Sequence, residues 1–164
     1  MGSFSMTGRE SDYRWAGPYL ASRQVVAVDP ESDIYTLADL EGKVVAVQST
    51  TKPESILLDH TNENVPQIKE LYSFSDRSYL NPALVEGLVD AIAAHESSLL
   101  AYEKDYGVTY RILDEPLLEV GLGTAFDIND TRGIDVKLTH AYQEMLADGT
   151  MERLVSKYFD DPSP

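Results

Sequence analysis

Residues 43–58, KVVAVQSTTKPESILL, constrain the fold more than any other stretch of this chain. Lys43–Val47 is rich in β-branched and small apolar side chains and reads as a buried strand. Gly42 breaks the helical turn before it, and Gln48, Ser49, Thr50 and Thr51 follow as four small or polar residues. Lys52-Pro53-Glu54 then opens a helix, with Pro53 in the first turn, where its missing N–H costs nothing. Free backbone N–H groups and the positive end of a helix dipole make such a turn a seat for a carboxylate or phosphate. The plainer reading is that the hydroxyls only cap the helix.

Around this unit, short apolar runs alternate with helical patterns. Strands are expected at 2–6, 24–28, 68–72, 89–93, 109–113 and 118–126, the last bent at Gly121 and Gly123. Trp15, Pro18 and Tyr19 read as an irregular aromatic stretch, and Asn62–Pro66 as a loop. Helical turns are expected at 36–40, capped by Thr36, at 78–87 and at 97–104. Asp130 or Thr131 is expected to cap a helix with apolar positions 134, 138, 141, 142 and 145, stopped by Gly149. A last helix carries Met151, Leu154, Val155 and Tyr158 on one face. The alternation predicts an α/β fold with a mainly parallel sheet.

Composition removes several function classes. The 28 acidic against 13 basic residues give a net charge of −15, which argues against nucleic acid and anionic membrane surfaces as partners. Cysteine is absent, and His60, His95 and His140 lack metal-ligand spacing, so neither a metal nor another cofactor is expected. No run approaches the roughly 18 apolar residues of a membrane span. The start MGSFSMTGRE has no signal-peptide apolar region, so the chain as written is expected to be soluble.

TGRE followed by W-x-x-P-Y, then LADLEGKVVAVQSTT, VDAIAAHE and EMLADGTMERLVSKYF, in that order, resembles the bacterial extracellular solute-binding proteins of the polar-amino-acid class. The resemblance runs from about Gly2 to Phe159. It implies a periplasmic-binding-protein fold of type II, with a free amino acid clamped between two α/β lobes and handed to the membrane permease of an ABC transporter. Residues 1–28 would be the end of lobe one and a first hinge strand near Gln24–Val28. Residues 29–122 would be lobe two. Residues 123–164 would hold a second hinge near Gly123–Phe126 and the C-terminal helices of lobe one. By this pattern the chain is a truncated form lacking the N-terminal half of lobe one, from an extracytoplasmic parent. It is expected to self-associate through the apolar faces of its two C-terminal helices.

The resemblance also implies a site for a zwitterion, which needs donors for its carboxylate and an acceptor for its ammonium. Arg9 stands where the family grips the carboxylate with a bidentate guanidinium, with Ser5 and Thr7 beside it. The plainer reading of Arg9 is a surface arginine paired with Glu10 or Asp12. Gln48 and Thr51 match binding positions, Lys52 replaces a small or hydroxyl residue, and Thr50 replaces a frequent glycine. His95 occupies the place of the aspartate that holds the ammonium, and Glu96 follows directly as its substitute. His95 also reads as a cap for the helix near Ser97. Two other functions share the fold: an extracytoplasmic sensor domain of a signalling protein, and a dehydratase-like enzyme using His95 and Glu96. No activated nucleophile is present, so a binding protein and not an enzyme is expected.

Overall fold

The computed structural model describes residues 3–59 and 65–159. Gly2, His60, part of the expected 62–66 loop and the Tyr158 side chain lie outside the described residues. The chain divides into two compact units, residues 23–118 and residues 1–22 with 119–164.

The 23–118 unit is built on a mixed sheet. Its strands are the second half of β2 (Tyr13–Val28), β3 (Val44–Gln48), β4 (Glu70–Phe74), β5 (Ala91–His95) and β6 (Arg111–Ile112). β3 runs parallel to both β4 and β5, whereas β5 and β6 pair antiparallel with β2, giving the order β6-β2-β5-β3-β4. The sheet is therefore parallel only at β4-β3-β5, not mainly parallel, because β2 enters the unit in the opposite direction.

Alternation along these strands sorts the core into two layers. Val26, Val28, Val45, Val47, Ala91 and Ala93 face one side with Ile34, Leu40 and Leu57. Val25, Ala27, Ala46 and Ile92 face the other with Leu80, Leu84, Leu99 and Tyr110. Both faces are covered, which explains why the strands read as continuous apolar runs in the sequence. The first face is closed by α1 (Lys52–Leu57) and the turn Leu37–Leu40. The second is closed by α2 (Leu80–Val85) and α3 (Glu96–Tyr106). The Leu37–Leu40 turn starts after Thr36, as expected, with the Asp39 carboxylate accepting the Thr36 backbone N–H at 2.9 Å.

In the other unit, β1 (Ser3–Ser5) pairs antiparallel with β7 (Leu118–Asp127), and the first half of β2 lies on the far side of β7. β2 is thus one strand of 16 residues, not an irregular stretch followed by a short strand. Its Tyr13–Ser22 half is a sheet edge, where Pro18 is tolerated although it cannot donate to a ladder. Gly123 passes close to β2, since a Cβ there would meet Met6 Sδ at 2.8 Å and the Ala16 carbonyl oxygen at 2.9 Å.

Helix α4 (Ile134–Ala147) covers these strands. The Arg14 guanidinium pairs with Asp135 at 2.9 Å, Gly17 N–H donates to Thr139 Oγ1 at 3.2 Å, and Thr124 bonds Tyr142 at 3.0 Å. α5 (Thr150–Phe159) packs on α4. The cap of α4 is Gly133, in the left-handed conformation at φ 67°, and not Asp130 or Thr131. Asp130 is spent on Arg132, whose guanidinium and backbone N–H hold its carboxyl down at about 2.

Candidate ligand-binding site

β3 delivers Gln48 to the carboxyl end of the sheet, and the hydroxyl turn follows. Ser49 N–H donates to the Phe74 carbonyl at 2.8 Å, carrying the β3–β4 ladder one step further. Thr50 has φ 61°, the left-handed region that a β-branched side chain disfavours and glycine accepts. Its N–H donates to Glu54 Oε2 at 2.6 Å and its hydroxyl to the Ser49 carbonyl at 2.7 Å. The Ser73 hydroxyl and this Thr50 N–H together hold the Glu54 carboxyl below its ordinary value.

Thr51 starts α1, but its hydroxyl donates back to the Gln48 carbonyl at 2.5 Å and does not cap the helix. The Thr50 and Thr51 hydroxyls brace the backbone of the turn. Helix capping, the plainer sequence reading, is not their role.

Thr50→Gly is expected to leave the fold intact and stabilise it by up to about 1 kcal/mol. Removing a left-handed Cβ clash gains roughly 1–2 kcal/mol, offset by about 0.5–1 kcal/mol of glycine chain entropy and by at least about 0.5 kcal/mol for the lost hydroxyl bond to the Ser49 carbonyl. Urea midpoints check this, with Thr50→Val, which keeps the clash, as the comparison. A Thr50→Gly midpoint below that of the unaltered chain or of Thr50→Val would contradict it.

Beside the turn, β5 brings His95 to the same end of the sheet. The β2–β5 register pairs His95 with Gln24. His95 caps α3, with Nδ1 accepting Ser97 N–H at 3.3 Å and lying 2.8 Å from Ser97 Oγ. Its capping role, one of the two sequence readings, is therefore present, with the helix beginning at Glu96.

A cavity of about 280 Å³ opens at these strand ends. Gln48, Thr51 and Lys52 line it from the turn, and Gln24 and His95 from the β2–β5 pair. Arg77, the first residue of the 3-10 turn after β4, approaches Ser98 of α3 at 3.5 Å, and both also line the cavity. Pro53, Leu80, Ala93 and Ala94 supply the apolar surface. The position outside the carboxyl ends of parallel strands is where open α/β sheets receive ligands.

The structure brings four of the sequence-predicted residues together here: Gln48, Thr51, Lys52 and His95. Glu96 does not line the cavity, and its carboxylate is held by Arg23 Nη1 at 2.7 Å. Ser5, Thr7 and Arg9 belong to the other unit. Ser5 ends β1 opposite Leu122. Arg9 N–H donates to the Met6 carbonyl at 3.0 Å, and the Trp15 indole donates to the Arg9 carbonyl at 3.1 Å. The Arg9 side chain is exposed and makes no ion pair with Glu10 or Asp12 among the described residues. Sequence reading missed Gln24, Arg77 and Ser98. Each enters the site through pairing or packing between elements that no local motif records.

Among the described residues, no group of histidine and acidic side chains could hold a metal ion, and no helix is long and apolar enough to cross a membrane.

No family model matches the chain. Curated relatives do. It is 31% identical to the histidine-binding periplasmic protein of Salmonella typhimurium over 98% of this chain and 64% of that protein. It is 27% identical to the glutamate-binding protein GluB of Corynebacterium glutamicum over 95% of this chain and 53% of that one. The chain thus spans about half to two thirds of these relatives' length. In fold it matches the second substrate-binding domain of Lactococcus lactis GlnP in its open conformation, with a TM-score of 0.72 at 20% identity, covering 98% of this chain and 68% of that one. These relatives are binding proteins and not enzymes. The chain is a relative of the periplasmic amino-acid-binding proteins and carries, over the portion it spans, the type II periplasmic-binding-protein fold of ABC-transporter substrate-binding domains.

Proposed function

We propose that this chain is the ligand-binding portion of an amino-acid-binding component of an ABC transporter, working outside the cytoplasm and delivering its ligand to a membrane permease. One observation carries the reading. In a chain related to amino-acid-binding proteins, Gln48, Thr51, Lys52 and His95 converge on one cavity at the carboxyl ends of β3 and β5. In this proposal the 23–118 unit is lobe two and the other unit belongs to lobe one. β2 and β7, the strands in which the chain passes from one unit to the other, serve as the hinges. Arg9, with Ser5 and Thr7, grips the ligand carboxylate. His95 touches the ligand, and Glu96, through its bond to Arg23, fixes the first turn of α3 beneath it.

The test is a titration of the 15N-labelled chain with a panel of free amino acids into the millimolar range. At least one is expected to shift the amide resonances of Gln48, Thr51, His95 and Ser98 in a saturable way. If none does, the reading fails. Light scattering on the same sample reads the proposed self-association against the 18.2 kDa of one chain.

A further inference from the structure

We propose that the cavity of the 23–118 unit receives an anionic end of its ligand, so that the chain prefers acidic amino acids and amine-free dicarboxylates to neutral or cationic amino acids. This rests on the reading that the cavity seats an amino-acid-like ligand, and it adds the charge of the group seated there.

The lining decides the sign. Among the described residues, two basic side chains, Lys52 and Arg77, stand on it, and no acidic one does. The carboxylates nearest in sequence are engaged elsewhere. Glu54 accepts from Thr50 N–H and from Ser73, Asp76 accepts from Ser78 N–H, and Glu96 pairs with Arg23. An ammonium group brought here would meet two cations and, among the described residues lining the cavity, no counter-charge. A carboxylate would meet guanidinium, ammonium and hydroxyl donors, the set that makes charge-assisted hydrogen bonds.

His95 adds to the same sign through its tautomer. Nδ1 accepts the Ser97 N–H, so in the neutral ring the proton sits on Nε2. The imidazolium also carries a proton there. In both states Nε2 is a donor, which suits an anionic oxygen and not an ammonium. Capping α3 and offering an acceptor at Nε2 are mutually exclusive for this ring.

The experiment titrates the 15N-labelled chain with glutarate, glutamate, glutamine, arginine and inorganic phosphate at constant ionic strength, following the amides of Gln48, Thr51, His95 and Ser98. Glutarate and glutamate are expected to saturate these shifts at concentrations about tenfold lower than glutamine or arginine, a difference of one unfavourable charge contact. Arg77→Gln and Lys52→Gln are each expected to shrink that preference at least threefold. Both positions are exposed, and unchanged spectral dispersion shows that the variants fold. If glutamine or arginine binds more tightly than glutarate, the inference is overturned while the amino-acid reading stands. Phosphate matching glutarate would make this a general anion seat and overturn the carboxylate preference. Silence from every probe overturns both readings.

Discussion

Arg9→Ala is expected to weaken binding of the best amino-acid ligand by about 2–5 kcal/mol, the cost of leaving a desolvated carboxylate without its charge-assisted partner. The same substitution should leave stability nearly unchanged. The Arg9 side chain is exposed and without an ion pair among the described residues, while its backbone is pinned independently by the Met6 carbonyl and the Trp15 indole. A structural arginine would behave the other way, losing stability and sparing affinity. Titration, by calorimetry or by amide shifts where binding is millimolar, combined with a urea midpoint, separates the two. Glu10→Gln serves as the neighbouring control. If Arg9→Ala binds as well as the unaltered chain, the carboxylate grip lies elsewhere.

What was legible in the sequence was what local chemistry decides. The strand, hydroxyl turn and helix of residues 43–58 appear as β3, the Ser49–Thr51 turn and α1 because alternation and a first-turn proline act within a few residues. Thr50 shows the same logic. The position where the family pattern has glycine is the one where the backbone takes φ 61°. Misreadings arose where a partner far along the chain overrode a local signal. Gly17 and Pro18 argue against a strand, yet β2 continues through them because β7 supplies a ladder on one side and the other is an edge. Asp130 looks like a helix cap until Arg132 takes its carboxylate. Which of His95 and Glu96 lines the cavity turned on register. Gln24 pairs with His95, and Arg23, one residue away, takes Glu96. Adjacent residues leaving a strand point to different surroundings, and only the pairing says which faces the cavity.

Arg111 is the second position where a large effect is expected, this time on stability. It opens the short β6, and its guanidinium donates to three carbonyls of one loop: Pro30 at 3.0 Å, Ser32 at 2.5 Å and Ile34 at 2.8 Å. Its Cζ also lies 3.9 Å from the Tyr35 ring centroid. This loop leaves β2 and delivers Ile34, only 1% exposed, into the core layer of Val26 and Val45. A hydrogen bond to a charged group contributes about 1.5–3 kcal/mol, and the three here are not additive because one side chain makes them all. The buried Nε, which lacks a hydrogen-bond partner, offsets part of the gain. Arg111→Met, which keeps the apolar stem, is therefore expected to destabilise the chain by about 3 kcal/mol. Arg111→Lys should recover less than half of that loss, since a point ammonium cannot reproduce a planar fork reaching three acceptors. Denaturant midpoints on the three proteins give the comparison. A loss under about 0.5 kcal/mol for Arg111→Met, within the range of an ordinary surface change, would mean that the loop holds Ile34 in place without the clamp.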